Sequence, residues 1–263
     1  MYQRLKSVLL LFFGSCLNEL LTMTMRFLSS FFTMMPRDPR PPMDTRLVGP
    51  RVILRLPLPS DWSRWRHLRS LSHDFLKPWE PAWPLDSLSR VFFDGVLRRH
   101  MREWRQGVGY AFLIFAKKEK DSSPLVGEVR RGGVPTGAGL ENKKLFQRHS
   151  PHPNPPHEGE GILIGGINLN DVRRGVAQKG TLGYWIGQPY AGQGLMTEAA
   201  ALVCDFAFRD LKLHRVEASC LPHNEPSKRL LQRLGFAEEG YAKSYLRIDN
   251  EWQDHLLWGR TER

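Results

Sequence analysis

Apolar positions along the chain fall into two periods, and the switches between them mark the elements. Arg51-Val52-Ile53-Leu54-Arg55-Leu56 is rich in β-branched residues and predicts a strand that Pro57 and Pro59 end. Ser60 is the expected cap of a helix running through Arg69, where Trp62, Trp65, Leu68 and Leu71 recur at near-helical spacing with arginines between them. That stripe is expected to face the core with its arginines solvated, rather than to stack bases. A second helix is predicted from Leu88 to Gln106, then buried strands at Tyr110 to Ala116 and Ile162 to Ile167. Thr181 to Ile186 reads as another strand. It is followed by a turn carrying Gly192 and Gly194, and then a helix whose Leu195, Ala199, Leu202, Val203 and Phe206 keep the helical period. His214 to Cys220 is strand-like. Asn224 caps a helix with Pro226 in its first turn, Leu230, Leu231 and Leu234 inward and Gly235 as its stop. Tyr245 to Ile248 and Trp252 to Trp258 flank Asp249-Asn250-Glu251 as a hairpin.

Two stretches interrupt this pattern. Residues 1–43 combine an apolar run from Val8 to Leu17 with a Met- and Phe-rich segment ending in Pro36, Pro39, Pro41 and Pro42. The run is half the roughly 20 residues a spanning helix needs, and no small-residue cleavage pattern follows it. It is read as an amino-terminal extension, either not native or disordered, and not as a membrane segment. Residues from about 118 to 160 are rich in Gly, Pro, Ser and charge, a composition too poor in apolar surface to offset its ordering entropy. They are expected to form a disordered insertion between two strands of a single domain spanning 44–263. His152 and His157 lie there, five apart in a Pro-rich tract, which is a poor metal clamp.

With 41% hydrophobic and 25% charged residues over 263, a wholly disordered or collagen-like chain is excluded. Cys16, Cys204 and Cys220 are odd in number and widely spaced, which excludes a disulfide framework and a thiolate zinc site and fits a reduced, cytoplasmic setting. Of the net charge of +11, residues 1–43 carry +3 and 117–161 carry +2, so a +6 remainder is scattered over the predicted domain. Such a surplus suits an anionic partner without a dedicated nucleic-acid arm.

The chemistry concentrates between Thr181 and Ser227. Glycines at 192 and 194 let successive backbone N–H groups converge where the positive end of the following helix also points, which makes an anion cradle. No Gly-Lys-Ser/Thr ending completes a Walker loop, and no third glycine follows at the Rossmann spacing. Ser227 falls at the third position of the helix that Asn224 opens. For this pair, capping alone and a role in the site both stand.

The Gly183-Tyr184-Trp185-Ile186-Gly187 strand, the Gly192-Gln193-Gly194 turn, the Asn224-x-x-Ser227 helix and the Leu234-Gly235-Phe236 ending resemble the GNAT acetyltransferase superfamily. Phe75-Leu76-Lys77-Pro78-Trp79-Glu80-Pro81, Gly192 to Ala199, and Gly240 to Asp249 with Trp252 to His255 resemble its RimJ/RimL-type ribosomal-protein N-terminal acetyltransferases, the RimJ branch most closely. The resemblance covers roughly Thr45 to Ala116 and Gly161 to Trp258. It implies an α+β fold of three layers, a mixed central sheet with splayed middle strands flanked by helices. It implies acetyl-CoA as donor and no metal, with Tyr184, Trp185, Ile186, Gly192, Gln193, Gly194 and Asn224 at the cofactor. The implied partner is a ribosomal-protein N-terminus, of the small subunit and beginning with alanine, with ribosomal RNA as a further contact and no membrane. One position departs: three residues before Gly192 the superfamily usually carries Arg, Gln or Lys, and here stands Pro189.

Acetyl transfer to an α-amine needs a neutral amine, donors for the oxyanion and stabilisation of the departing thiolate. At a pKa of about 7.7–8.0, on the order of a tenth of such an amine is neutral at pH 7, so a strong base is not required. Glu80, held in extended chain by Pro78 and Pro81 and shielded by Trp79, is the candidate base, with a solvated acid paired to Lys77 as the competing reading. Ser227 is the candidate thiolate partner and Tyr184 its runner-up. The oxyanion donors are expected from backbone. Two further functions remain open: a GNAT acting on a small amine, and a catalytically silent ribosome-binding module.

Overall fold

The computed structural model describes residues 40–117 and 161–262. Cys16, the extension up to residue 39 and the insertion at 118–160, with His152 and His157, lie outside the described residues. Strands β1 (Arg46–Val48), β2 (Val52–Arg55), β3 (Tyr110–Ala116), β4 (Ile162–Arg173), β5 (Lys179–Ile186), β6 (Arg215–Cys220), β7 (Ala237–Ile248) and β8 (Glu251–Thr261) build one sheet in the order β1-β2-β3-β4-β5-β6-β8-β7. Every pairing is antiparallel except β5 with β6. Four longer helices flank it: α1 (Trp62–Leu71), α2 (Arg90–Gln106), α3 (Leu195–Asp205) and α4 (Glu225–Arg233).

β3 has apolar side chains on both faces because both are covered. Tyr110, Phe112 and Ile114 join the main core with Ala199 and Val203 of α3, while Leu113 and Phe115 pack with Leu68 of α1. The helices start and stop where local chemistry directs. Ser89 Oγ accepts from Phe92 N to open α2, Gly107 ends it at φ 74°, and Asn224 Oδ1 accepts from Ser227 N to open α4.

The cap expected at Ser60 is corrected, since Pro59–Asp61 form a 3₁₀ turn and α1 begins at Trp62. Asp61 is fully buried; it accepts from Arg55 at 2.7 and 2.9 Å, from Arg64 at 2.7 Å and from Leu58 N at 2.7 Å. Three donor groups converging on one carboxylate offset its desolvation. Two of the α1 arginines, Arg64 and Arg69, are likewise less solvated than expected, with Arg69 turned into the protein, while Arg66 is exposed.

Candidate active site

Leu182 opposite Ala218 is the last pair between β5 and β6. Beyond it, Gly183 to Ile186 stay in register with β4, with Ile167 opposite Tyr184 and Gly165 opposite Ile186, while Ser219 and Cys220 stay with β8. The central strands therefore part, and the β6-facing edge of Gly183–Ile186 is left without a ladder partner. An amide-bearing chain can add to such an edge.

Across this gap the Tyr184 hydroxyl lies 2.6 Å from Ser227 Oγ, joining β5 to the first turn of α4. Ser227 is buried, and burial raises the Tyr184 phenol well above its ordinary value, so it keeps its proton. Burial also raises the Cys220 thiol beside them. Asn224 caps α4 through Oδ1 at 3.1 Å, so that atom is already engaged.

Past Ile186, at this same end of β5, the chain enters the glycine turn. Gly187 has no room for a side chain, because a Cβ there would lie 2.4 Å from Leu68 Cδ1. Gln188 N donates to Ser72 Oγ at 2.9 Å, which pins the turn to the end of α1. Gly192 and Gly194 both have φ 75°, the left-handed region that glycine enters without strain, and Gly194 caps α3. The early amides of α3 have no intrahelical acceptor and point out of its positive end. These amides are donors available to an anion, and the free edge of β5 offers its N–H and C=O groups to an amide-bearing chain.

A cleft of about 580 Å³ opens beside the parted strands, lined among others by Trp65, Arg69, Glu80, Trp83, His100 and Tyr184. Arg69 donates to both oxygens of Glu80 at 2.7 Å, and Trp83 Nε1 donates to Oε2 at 2.9 Å. The guanidinium lies 4.1 Å from the Trp83 ring centroid and 4.8 Å from that of Trp185. Both members are largely shielded, at 13% and 19% exposure.

Two expectations about Glu80 are corrected. Trp79 stacks on His223 instead of covering the carboxylate, and Lys77 lies by Asp249 at 3.6 Å rather than pairing with Glu80. The structure thus joins Ser227 with Tyr184, and sets Glu80 in the cleft wall. It adds Arg69 and Trp83, which sequence reasoning missed. The available signal was Arg69 four residues after Trp65, on the edge of the apolar stripe. His100 Nδ1 is buried without a partner among the described residues, and burial, with the nearby Arg99 charge, pushes its imidazole down to about 4. Among the described residues no cluster of three metal-ligating side chains occurs.

Parted central strands, a glycine turn at a helix start and a hydroxyl pair between them are the features that the resemblance to the GNAT acetyltransferases implies for an acetyl-CoA site. Residues 146–237 match the acetyltransferase (GNAT) domain model. The chain is 33% identical over 216 residues to the [ribosomal protein uS5]-alanine N-acetyltransferase of Escherichia coli, covering 82% of this chain and 90% of that one. It is 44% identical over 95 residues to a probable N-acetyltransferase of Bacillus subtilis, YjcK, covering 36% and 52%. Among solved structures it is similar to Mycobacterium smegmatis RimJ in complex with CoA-disulfide, at 27% identity and a TM-score of 0.61 over 80% of this chain and 81% of that one. The chain belongs to the GNAT acetyltransferase family. It is an N-acetyltransferase that takes its acetyl group from acetyl-CoA.

Proposed function

We propose that the protein acetylates the N-terminal α-amine of a ribosomal protein, an alanine of a small-subunit protein, by direct attack of the amine on the thioester. The observation that carries this reading is Tyr184, which lines the cleft and at the same time holds Ser227 across the parted strands. An acceptor in the cleft and a thioester in the gap would meet at that hydroxyl pair. Similarity along most of both chains to an enzyme whose name specifies uS5 and alanine supports the acceptor.

In this reading Tyr184, Trp185 and Ile186 offer the free strand edge to the pantetheine arm, and Gly192, Gln193 and Gly194 cradle the phosphates with Asn224 holding the opposite helix in place. Ser227 donates a hydrogen bond to the sulfur as charge develops there, and the Tyr184 phenol, which keeps its proton, donates to Ser227 Oγ and orients it. Glu80, oriented by Arg69 and Trp83, takes up the acceptor's ammonium and receives its proton through water. Residues 44–263 act as one domain interrupted in sequence by the insertion, in the cytoplasm, and the scattered positive charge lets the enzyme rest on ribosomal RNA.

Incubation with labelled acetyl-CoA and unacetylated ribosomal proteins tests this. Label on the amino terminus of one small-subunit protein is expected. Transfer only to small amines, or binding of acetyl-CoA without transfer, would overturn it.

A further inference from the structure

The β1–β2 turn reaches across the fold to the glycine turn. Arg51 N and Val52 N donate to Glu198 Oε1 at 2.7 and 3.2 Å, and Arg51 Nε donates to Oε2 at 2.9 Å. Arg51 Nη1 donates to Gln193 O at 3.1 Å. The guanidinium is thereby fixed at the start of α3, and Nη2 lies 3.5 Å from where a Cβ on Gly194 would stand. Its side chain is nevertheless 55% exposed, whereas that of Glu198 is 15% exposed. The carboxylate is turned inward and covered while the cation faces solvent beside the turn.

This placement answers the departure at residue 189. A side-chain donor three residues before Gly192 is replaced by Pro189, whose carbonyl accepts from Gln193 Nε2 at 3.0 Å. Backbone amides alone would then face the phosphates from α3, with Glu198 one turn in. A negative side chain so near an anion opposes binding unless a cation masks it. We propose that Arg51 is a phosphate-binding residue of the acetyl-CoA site. It supplies from the β1–β2 turn the positive charge that residue 189 lacks, donating from Nη1 and Nη2 to the diphosphate of coenzyme A while its Nε neutralises Glu198. The inference rests on the glycine turn holding the phosphates.

The test compares coenzyme A with S-acetylpantetheine, which keeps the thioester and pantetheine arm but has no phosphate. Arg51→Gln is expected to weaken CoA by about tenfold in calorimetry, to flatten the dependence of Kd on salt, and to leave the KM for S-acetylpantetheine unchanged. Pro189→Lys introduced into Arg51→Gln is expected to recover most of the lost affinity. If Arg51→Gln does not fold, Arg51→Lys keeps one charge and the backbone bonds to Glu198, and a smaller loss with the same selectivity for CoA is expected. Unchanged CoA affinity, or equal losses for both ligands together with a lower Tm, would overturn the proposal and make Arg51 a structural staple. Gly194→Val separates the underlying assignment: if it spares CoA affinity the turn is not the phosphate site, and if it alone weakens CoA only the role of Arg51 fails.

Discussion

Tyr184 and Ser227 share a 2.6 Å hydrogen bond across the point where the parallel strands β5 and β6 separate. Each hydroxyl constrains the other. The serine is fixed by the helix that Asn224 caps, the tyrosine by its pairing with Ile167, so the contact needs no rearrangement to form. A preorganised donor of this kind acts when charge appears on sulfur, not when the thioester binds.

Ser227→Ala is therefore expected to lower kcat about 10- to 150-fold, the loss of roughly 1.5–3 kcal/mol, while acetyl-CoA affinity stays nearly intact. Tyr184→Phe should cost less alone, and the double variant should cost about as much as Ser227→Ala, because both act through one hydrogen bond. Since burial raises the phenol, it stays protonated at neutral and mildly alkaline pH and adds no inflection to the rate profile between pH 6 and 9. Single-turnover rates with calorimetric Kd values decide this. A fall in affinity with kcat preserved would reduce Ser227 to a capping and cofactor contact.

Glu80→Gln is expected to show its largest deficit below pH 7 and to recover as pH rises, because the acceptor amine, with a pKa of about 7.7–8.0, then loses its proton unaided. Rates from pH 6 to 9 check it. A pH-independent rise in acceptor KM would instead assign Glu80 and its Arg69 partner to positioning alone.

His100 gives a stability signature of its own. Its imidazole is held near 4 in the fold against an ordinary value of about 6.5, so between those limits the unfolded chain binds more protons than the native one. The stability lost to this group therefore grows as pH falls from 6.5 toward 4 and is absent above that window. His100→Gln should flatten the acid limb of Tm against pH; an unchanged limb would show that the ring is not held neutral.

What the sequence made legible was what local physics controls. The glycine turn, the Asn224 cap and the apolar strand β3 are each specified within a few residues, and so is the hairpin turn, where Asp249 and Asn250 take φ of 43° and 69°. The parting of β5 and β6 came through the family resemblance, since nothing in either strand announces where its neighbour leaves. The partner of Glu80 was hidden because Arg69 is remote in sequence and looked like a solvated helix arginine. β7 was read only at its end: most of its side chains are exposed, so no alternation marks it, and its strand form comes from pairing with β8.

Gly187 couples the turn to α1. A methyl there would approach Leu68 Cδ1 and Cγ to 2.4 and 2.9 Å, so Gly187→Ala should destabilise the fold by about 1–3 kcal/mol through overpacking. Thermal unfolding checks this, and Leu68→Ala in the same chain should cost less than it does alone, because the methyl fills part of the space the leucine vacates.

The insertion should prove dispensable, and the frame around it gives the reason. Ala116, the last residue of β3, is paired with Ile162, the first of β4, so the chain leaves and re-enters the sheet at neighbouring positions. Gly161 turns it back at φ 80°, where a Cβ would lie against the Ala116 carbonyl. The antiparallel pairing of β3 with β4 thus fixes the register without help from the residues between, and the closure entropy of a long loop grows only by about 0.6 kcal/mol for each doubling of its length. Replacing residues 119–160 by a short Gly-Ser hairpin while keeping Gly161 is accordingly expected to leave the acetylation rate unchanged and Tm equal or slightly raised. A drop of several degrees would mean that the insertion packs on the domain, and a lost rate at unchanged Tm would mean that it contacts the acceptor.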